Sequence, residues 1–250
     1  MLHNFRPQLE EALKAETDPK AIHLLTELLA QNEESKGIED IATGNDYMRL
    51  AKHYVEQRRY ADALPFCHQT EKIWMQGEQA LHLDTAELHS TIGIIYSNIE
   101  NAGLAIQYFY NALIMYETLD EKDSEMWFDT YSNLACIYSN LGAHSTALEM
   151  CDEFIPRLIK LHGEKSVRVS NAYFMKAAVY YANENFPVAL NHFQKAAEIV
   201  AALLPKGDKH IRDFVHNYAT ALNRCKKYIP AALFQKHLRF INTKYAAYFR

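Results

Sequence analysis

Glycine and proline are scarce in this 250-residue chain, at 8 and 7, well below ordinary usage of roughly 7% and 5%. The turns that an all-β sandwich or a Rossmann sheet needs are therefore missing, and an all-helical fold is expected. The two closest glycines are Gly37 and Gly44, so no G-x-G-x-x-G or G-x-x-x-x-G-K loop is present to cradle a phosphate. The four cysteines, Cys67, Cys136, Cys151 and Cys225, stand far apart, and none forms a C-x-x-C pair. A zinc ribbon and a redox dithiol are both excluded, leaving buried free thiols as the expectation. No two of the 12 histidines are three or four residues apart, the helical spacing that would aim two imidazoles at one metal. No metal and no cofactor are expected. Long apolar runs are absent too; even the stretch Ala196 to Leu204 contains Glu198, so no membrane span of about 18 residues is written here. The N-terminus leads from Met1 through Pro7 into Glu10 and Glu11 without an apolar signal segment, and a cytoplasmic protein is expected. Net charge is −5, with 26 basic and 31 acidic residues, which gives no overall attraction for nucleic acid or an anionic membrane.

What is present is a repeat. Alanine recurs at positions 21, 63, 105, 147, 189 and 231, always 42 residues apart. A second small residue keeps the same step at Ala51, Gly93, Ala135, Ala177 and Ala219. An aromatic follows it three residues later at Tyr54, Tyr96, Tyr138 and Tyr180, with Leu222 in the last copy. Within a copy, Ala105, Ile106, Phe109, Ala112, Leu113 and Tyr116 are apolar at i, i+3, i+4 and i+7. Each copy therefore reads as two amphipathic helices joined by a short polar turn, with small residues where the helices approach most closely. Pro19, Pro187 and Pro230 stand at the expected start of the second helix of their copies, where a missing N–H costs nothing.

The set Gly93, Tyr96, Ala105, Phe109 and Ala112 resembles the tetratricopeptide repeat (TPR), as does Ala177, Tyr180, Ala189, Phe193 and Ala196. In the family's register, copies begin near 2, 44, 86, 128, 170 and 212. The first lacks the small and tyrosine signature, and the last is eroded in its second helix at Gln235 and Arg239, as terminal repeats often are. The resemblance implies a single domain over 1–250: an all-α, right-handed superhelical solenoid of antiparallel helix pairs, about five full repeats plus a degenerate N-terminal one. The period of 42 rather than 34 is similar to that of kinesin light chains and of the Rap-type peptide-pheromone receptors of Gram-positive bacteria. The segment Leu161 to Val169 is similar to the inter-repeat stretch of the kinesin light chain type.

The same resemblance implies a concave wall lined by the first helix of each pair. Repeat positions 2, 6, 9 and 13 form one stripe on that helix, facing away from the packing positions. It carries Asn98, Asn133, Asn140, Asn171 and Asn217. Asparagine is a mediocre helix former, so helix stability does not explain its recurrence. Each amide offers a donor and an acceptor, and a ladder of them can satisfy an extended peptide backbone. TPR receptors of extended peptides use asparagines at matching positions, and Asn133 and Asn217 resemble that arrangement best. Arg49 and Lys52 near one end and Arg224 near the other would orient the ligand. The carboxylate clamp of chaperone-binding TPR proteins is not reproduced, because Asp129 and Asn133 stand where it needs cations. The sequence thus points to a non-enzymatic scaffold holding an extended peptide or protein segment in its concave groove. Whether it is a peptide-responsive regulator or a structural or adaptor subunit, binding through terminal and convex surfaces, stays open.

One more feature sits at the C-terminus. From Phe214 to Arg250 there is no carboxylate, while seven basic residues are present; residues 1–213 carry −12. The segment is also aromatic, and Phe240, Tyr245, Tyr248 and Phe249 are expected either to fold back on the last helix pair or to form an isologous homodimer contact.

Overall fold

The computed structural model describes residues 18–37, 40–76, 78–205 and 208–248. The first helix of the copy beginning near 2 lies outside them. The described residues contain eleven α-helices and no strand: α1 Asp18–Lys36, α2 Ile41–Glu56, α3 Tyr60–Trp74, α4 Leu83–Asn98, α5 Ala102–Thr118, α6 Glu125–Asn140, α7 His144–His162, α8 Val167–Ala182, α9 Phe186–Leu203, α10 Lys209–Cys225 and α11 Ala231–Tyr245. Short 3₁₀ turns cover Glu78–Leu81 and Ala246–Tyr248. The first helices of the pairs begin at 41, 83, 125, 167 and 209, in step with the 42-residue repeat. Pro19 and Pro187 are the second residues of α1 and α9, and Pro230 caps α11.

The repeated small residues are the closest points of the packing. Ala63, Ala105, Ala147 and Ala189 are fully buried, as are Ala51, Ala135 and Ala177. Gly93 shows why: a Cβ there would meet the Phe109 ring at 2.7 Å, inside any real contact distance. The repeated tyrosine lies on the residue three after the buried alanine of the second helix. Tyr54 stacks on Phe66 with centroids 5.7 Å apart, Tyr96 on Tyr108 at 5.7 Å and Tyr180 on His192 at 5.5 Å. Such pairs add about 0.5–1.5 kcal/mol each beyond the area they bury.

The turn inside each pair is also a repeated device. Arg58, Glu100, Gly142 and Glu184, again 42 apart, have φ of 59°, 63°, 78° and 57°. The next residue's N–H reaches back to the repeated tyrosine: Arg59 to the Tyr54 carbonyl, Asn101 to Tyr96, Ala143 to Tyr138 and Asn185 to Tyr180, all at 2.9 Å. This left-handed closure satisfies the last carbonyls of the first helix and turns the chain in three residues.

The last pair departs from it. Lys226 has φ −49°, the turn lengthens to Lys226–Pro230, and α11 starts late. The helix is consequently rotated by about one residue, roughly 100°. It buries Phe234, His237, Ile241 and Tyr245, while Ala231, Gln235 and Arg239, at positions buried or half-buried in the preceding pairs, are exposed. Side-chain chemistry drives this: the aromatic position holds polar Gln235, so Phe234 takes the interior.

The chain divides into two compact units, residues 1–130 and 131–250. In the first, α1 to α4 contribute a core around Leu25, Leu50, Cys67, Leu88 and Ile92. In the second, α8 to α11 build one around Leu190, Phe193, Val215, Tyr218 and Ile241.

Candidate functional site

The stripe on the first helices is exposed or half-buried in both units except at buried Thr91, but its groups are used differently. In the first unit most of them are bonded within the protein. Lys52 on α2 pairs with Glu87 on α4 at 2.8 Å, and Arg49 with Asp46 at 3.5 Å. Asp46 is only 4% exposed and also accepts a hydrogen bond from Asn32. A cleft of about 250 Å³ lies here, lined by Leu28, Asn32, Lys36, Asn45, Asp46 and Arg49. Beside it the Tyr47 hydroxyl donates to Glu33, and burial, with Glu33 behind it, pushes that phenol up to about 12. Thr91 donates to the Glu87 carbonyl at 2.9 Å and Asn98 to the Ile94 carbonyl at 2.8 Å, so both turn back on their own helix. Of the candidate ligand-orienting cations, Arg49 and Lys52 are thus engaged within the unit.

In the second unit the stripe is open. Asn133 and Asn140 lie on α6, Asn171 on α8 and Asn217 on α10; Asn133 is half-buried and the other three are exposed. None of the four makes a side-chain hydrogen bond among the described residues, and Arg224 makes no ion pair there. Between the asparagine positions of α6 and α10, α8 contributes half-buried Met175 and exposed Ala178 and Ala182. Amides able to pair with a peptide backbone therefore flank a small apolar strip.

A polar cluster that sequence reasoning missed ties α3, α4 and α5 together. The Tyr108 hydroxyl donates to Glu71 Oε2 at 3.3 Å, His68 Nδ1 lies 3.2 Å from the same oxygen, and His89 Nε2 lies 3.3 Å from Oε1. His68 Nε2 is 3.2 Å from the Tyr96 hydroxyl. Burial raises the Glu71 pKa, but the imidazoles of His89 and His68 beside it outweigh this and hold the carboxyl below its ordinary value. The cluster joins residues up to 37 apart in sequence, which no local spacing announces. Among the described residues no group of three His, Cys, Asp or Glu is placed to hold a metal, and no helix is long and apolar enough to cross a membrane.

At the C-terminal end, Tyr245 is 4% exposed and Phe240 half-buried against the core of the second unit. They meet edge-on at 5.7 Å, and Phe240 lies 6.5 Å from Tyr218. The rotation of α11 turns Tyr245 inward within the single chain. The Tyr248 side chain and Phe249 lie outside the described residues.

Residues 128–202 match the family model for the tetratricopeptide repeat. The TPR fold extends well beyond that stretch. BtubC from P. vanneervenii is 17% identical over 94% of this chain and 89% of its own, with a TM-score of 0.68. The nearly identical TPR-like repeats of a kinesin light chain-type protein from Podosopora anserina are 14% identical over 80% of this chain and 95% of theirs, TM-score 0.69. A Rap protein complexed with competence and sporulation factor is 15% identical, TM-score 0.67; the alignment covers 98% of this chain and 64% of the Rap chain. No curated protein matches the chain in sequence. At these identities the shared property is the TPR fold.

Proposed function

We propose that this TPR chain is a non-enzymatic scaffold whose second unit holds an extended peptide or protein segment along the first helices of its repeats. The observation that carries this reading is the set of unbonded amides at Asn133, Asn140, Asn171 and Asn217, all on the stripe and all within residues 131–250. Exposed side chains on a helix need no such polarity, and each of these replaces a better helix former. The Rap protein solved with competence and sporulation factor gives a precedent for a bound factor on the same fold. In this reading the bound segment lies along α6, α8 and α10, its backbone paired with the amides and its side chains resting near Met175 and Ala178. Arg224 orients one end. The chain acts in the cytoplasm as a regulator whose state depends on the occupant.

The test is a quantitative pull-down with intact protein and with Asn133→Ala/Asn217→Ala, followed by affinity measurement on the captured segment. Binding should weaken by about 1–3 kcal/mol per lost amide, the cost of stranding a buried peptide group. The melting temperature should stay nearly constant, since these amides hold nothing within the fold. Unchanged binding in the double variant would remove the groove from consideration.

A further inference from the structure

The outward face of α11 is unlike that of any other second helix. Its rotation sends outward the stripe that the other pairs bury, and a cleft of about 570 Å³ lies along it, lined by Ala232, Gln235, Lys236, Arg239, Phe240 and Lys244 among others. The three cations are exposed and make no ion pair or hydrogen bond among the described residues. Nothing acidic is near in sequence: the 37 residues from Phe214 onward contain no Asp or Glu and seven Lys or Arg. Residues 131–250 hold 16 basic against eight acidic residues, a net of +8, while residues 1–130 hold ten against 23, a net of −13. An unpaired cationic face with half-buried Phe240 beside it thus lies in the net-positive unit.

We infer that this face of α11 docks an acidic amphipathic helix of a partner protein. Lys236, Arg239 or Phe240, and Lys244 recur at helical spacing, so the ridge they form is matched by a second helix lying alongside. Carboxylates at i and i+4 on that helix meet the cations, and an apolar residue between them rests on Phe240 and Ala232. A nucleic acid is the weaker fit. The Phe240 ring is packed against Tyr245 and Tyr218 rather than free to stack on a base.

This inference does not depend on the asparagine stripe, and the experiment keeps the two apart. The probe is a fluorescein-labelled, helix-forming peptide of about 14 residues with glutamates at i and i+4 and a leucine stripe; its controls carry lysine for glutamate, or are a labelled oligouridine. Fluorescence polarisation is read on the full chain, on Lys236→Glu/Arg239→Glu, on Lys244→Glu and on Asn133→Ala/Asn217→Ala, each shown by circular dichroism to melt like the parent. The acidic peptide should bind, weaken about tenfold or more in the double charge reversal and less in the single one, and loosen as salt rises. The asparagine variant should bind it like the parent, and the lysine peptide should not bind. Failure of the acidic peptide to bind, or equal binding by the charge-reversed chain, overturns the inference. Tighter binding of oligouridine through the same residues overturns it in favour of a polynucleotide surface. Sedimentation of the chain alone, if it shows self-association that Lys236→Glu/Arg239→Glu abolishes, assigns the face to a second copy instead.

Discussion

The residue-level pattern of small and large side chains sets how closely the helices of a pair approach, and the cysteines take part in it. Cys67 and Cys151 occupy the position that Phe109 and Phe193 hold in other copies, opposite Ala51 and Ala135, and both are fully buried. Burial pushes each thiol up to about 12, with Glu71 adding to the effect at Cys67. Cys225 is buried too, whereas Cys136 sits exposed on the solvent-facing stripe of α6. Thiol titration of the native chain should therefore count one fast group, Cys136, and the denatured chain four, with no disulfide; two fast groups would mean that a core cysteine is reachable. The expectation of buried thiols holds for Cys67, Cys151 and Cys225 and fails for Cys136, whose repeat position faces solvent rather than the packing between helices. The tightest contact has its own test. Gly93→Ala forces a Cβ against the Phe109 ring, which is fully buried and has no room to retreat, so urea unfolding should show a loss of about 1–3 kcal/mol.

Among the elements, the turns closing three of the helix pairs carry strain that glycine would relieve. Arg58, Glu100 and Glu184 hold a left-handed backbone that costs an L-residue about 1–2 kcal/mol, partly offset in glycine by its greater unfolded-state entropy. Glu100→Gly and Glu184→Gly should each stabilise by up to about 1 kcal/mol, and Gly142→Ala should destabilise by a similar amount, measured by urea midpoints. A stabilising Gly142→Ala would show that the turn closes in another way. The helix pairs, their order and their 42-residue step were legible in sequence, since the step recurs in buried residues; the first helices start three residues ahead of the copy starts at 44, 86, 128, 170 and 212. Three of the four left-handed positions were not, because arginine and glutamate carry no turn signal and the demand comes from the Tyr54, Tyr96 and Tyr180 carbonyls. The last pair was legible only in part: Gln235 marked an eroded copy, but the rotation follows from Phe234 and His237 competing for the interior, a choice among neighbours that periodicity does not encode. The asparagines could be placed on the stripe; that Asn98 turns back on its own helix while those of the second unit stay open depends on hydrogen bonds visible only in three dimensions.

For the molecule as a whole, the two units answer differently to acid. The second encloses His237, fully buried with Nδ1 bonded to the Tyr218 hydroxyl. Burial, helped by the charge of Lys236, brings its pKa down from 6.5 to about 4. His192, in the same unit, is also lowered, first by burial and then by Lys176 and Lys195. A base depressed in this way is neutral in the fold but takes a proton in the unfolded chain as soon as pH drops below 6.5. Its contribution is complete above 6.5, is lost as pH falls toward 4, and changes no further below that; for His237 the loss is roughly 2–3 kcal/mol. The ionised carboxylate at the centre of the first unit's polar cluster responds in the same direction but in a lower window. Glu71 is held below its ordinary 4.5, so the stability it confers is present above 4.5 and fades only as pH falls further. Between 6.5 and 4.5, then, the second unit should weaken while the Glu71 contribution to the first persists. Hydrogen exchange at pH 7 and pH 5, corrected for intrinsic rates, should show faster opening of α10 and α11 at the lower pH and little change in α3 to α5. His237→Gln, which can still bond Tyr218 but does not titrate, should remove most of the difference, leaving the smaller share of His192. Equal protection loss in both units, or an unaltered pH response in the variant, would mean that acid acts on the repeats as a whole rather than through this buried imidazole.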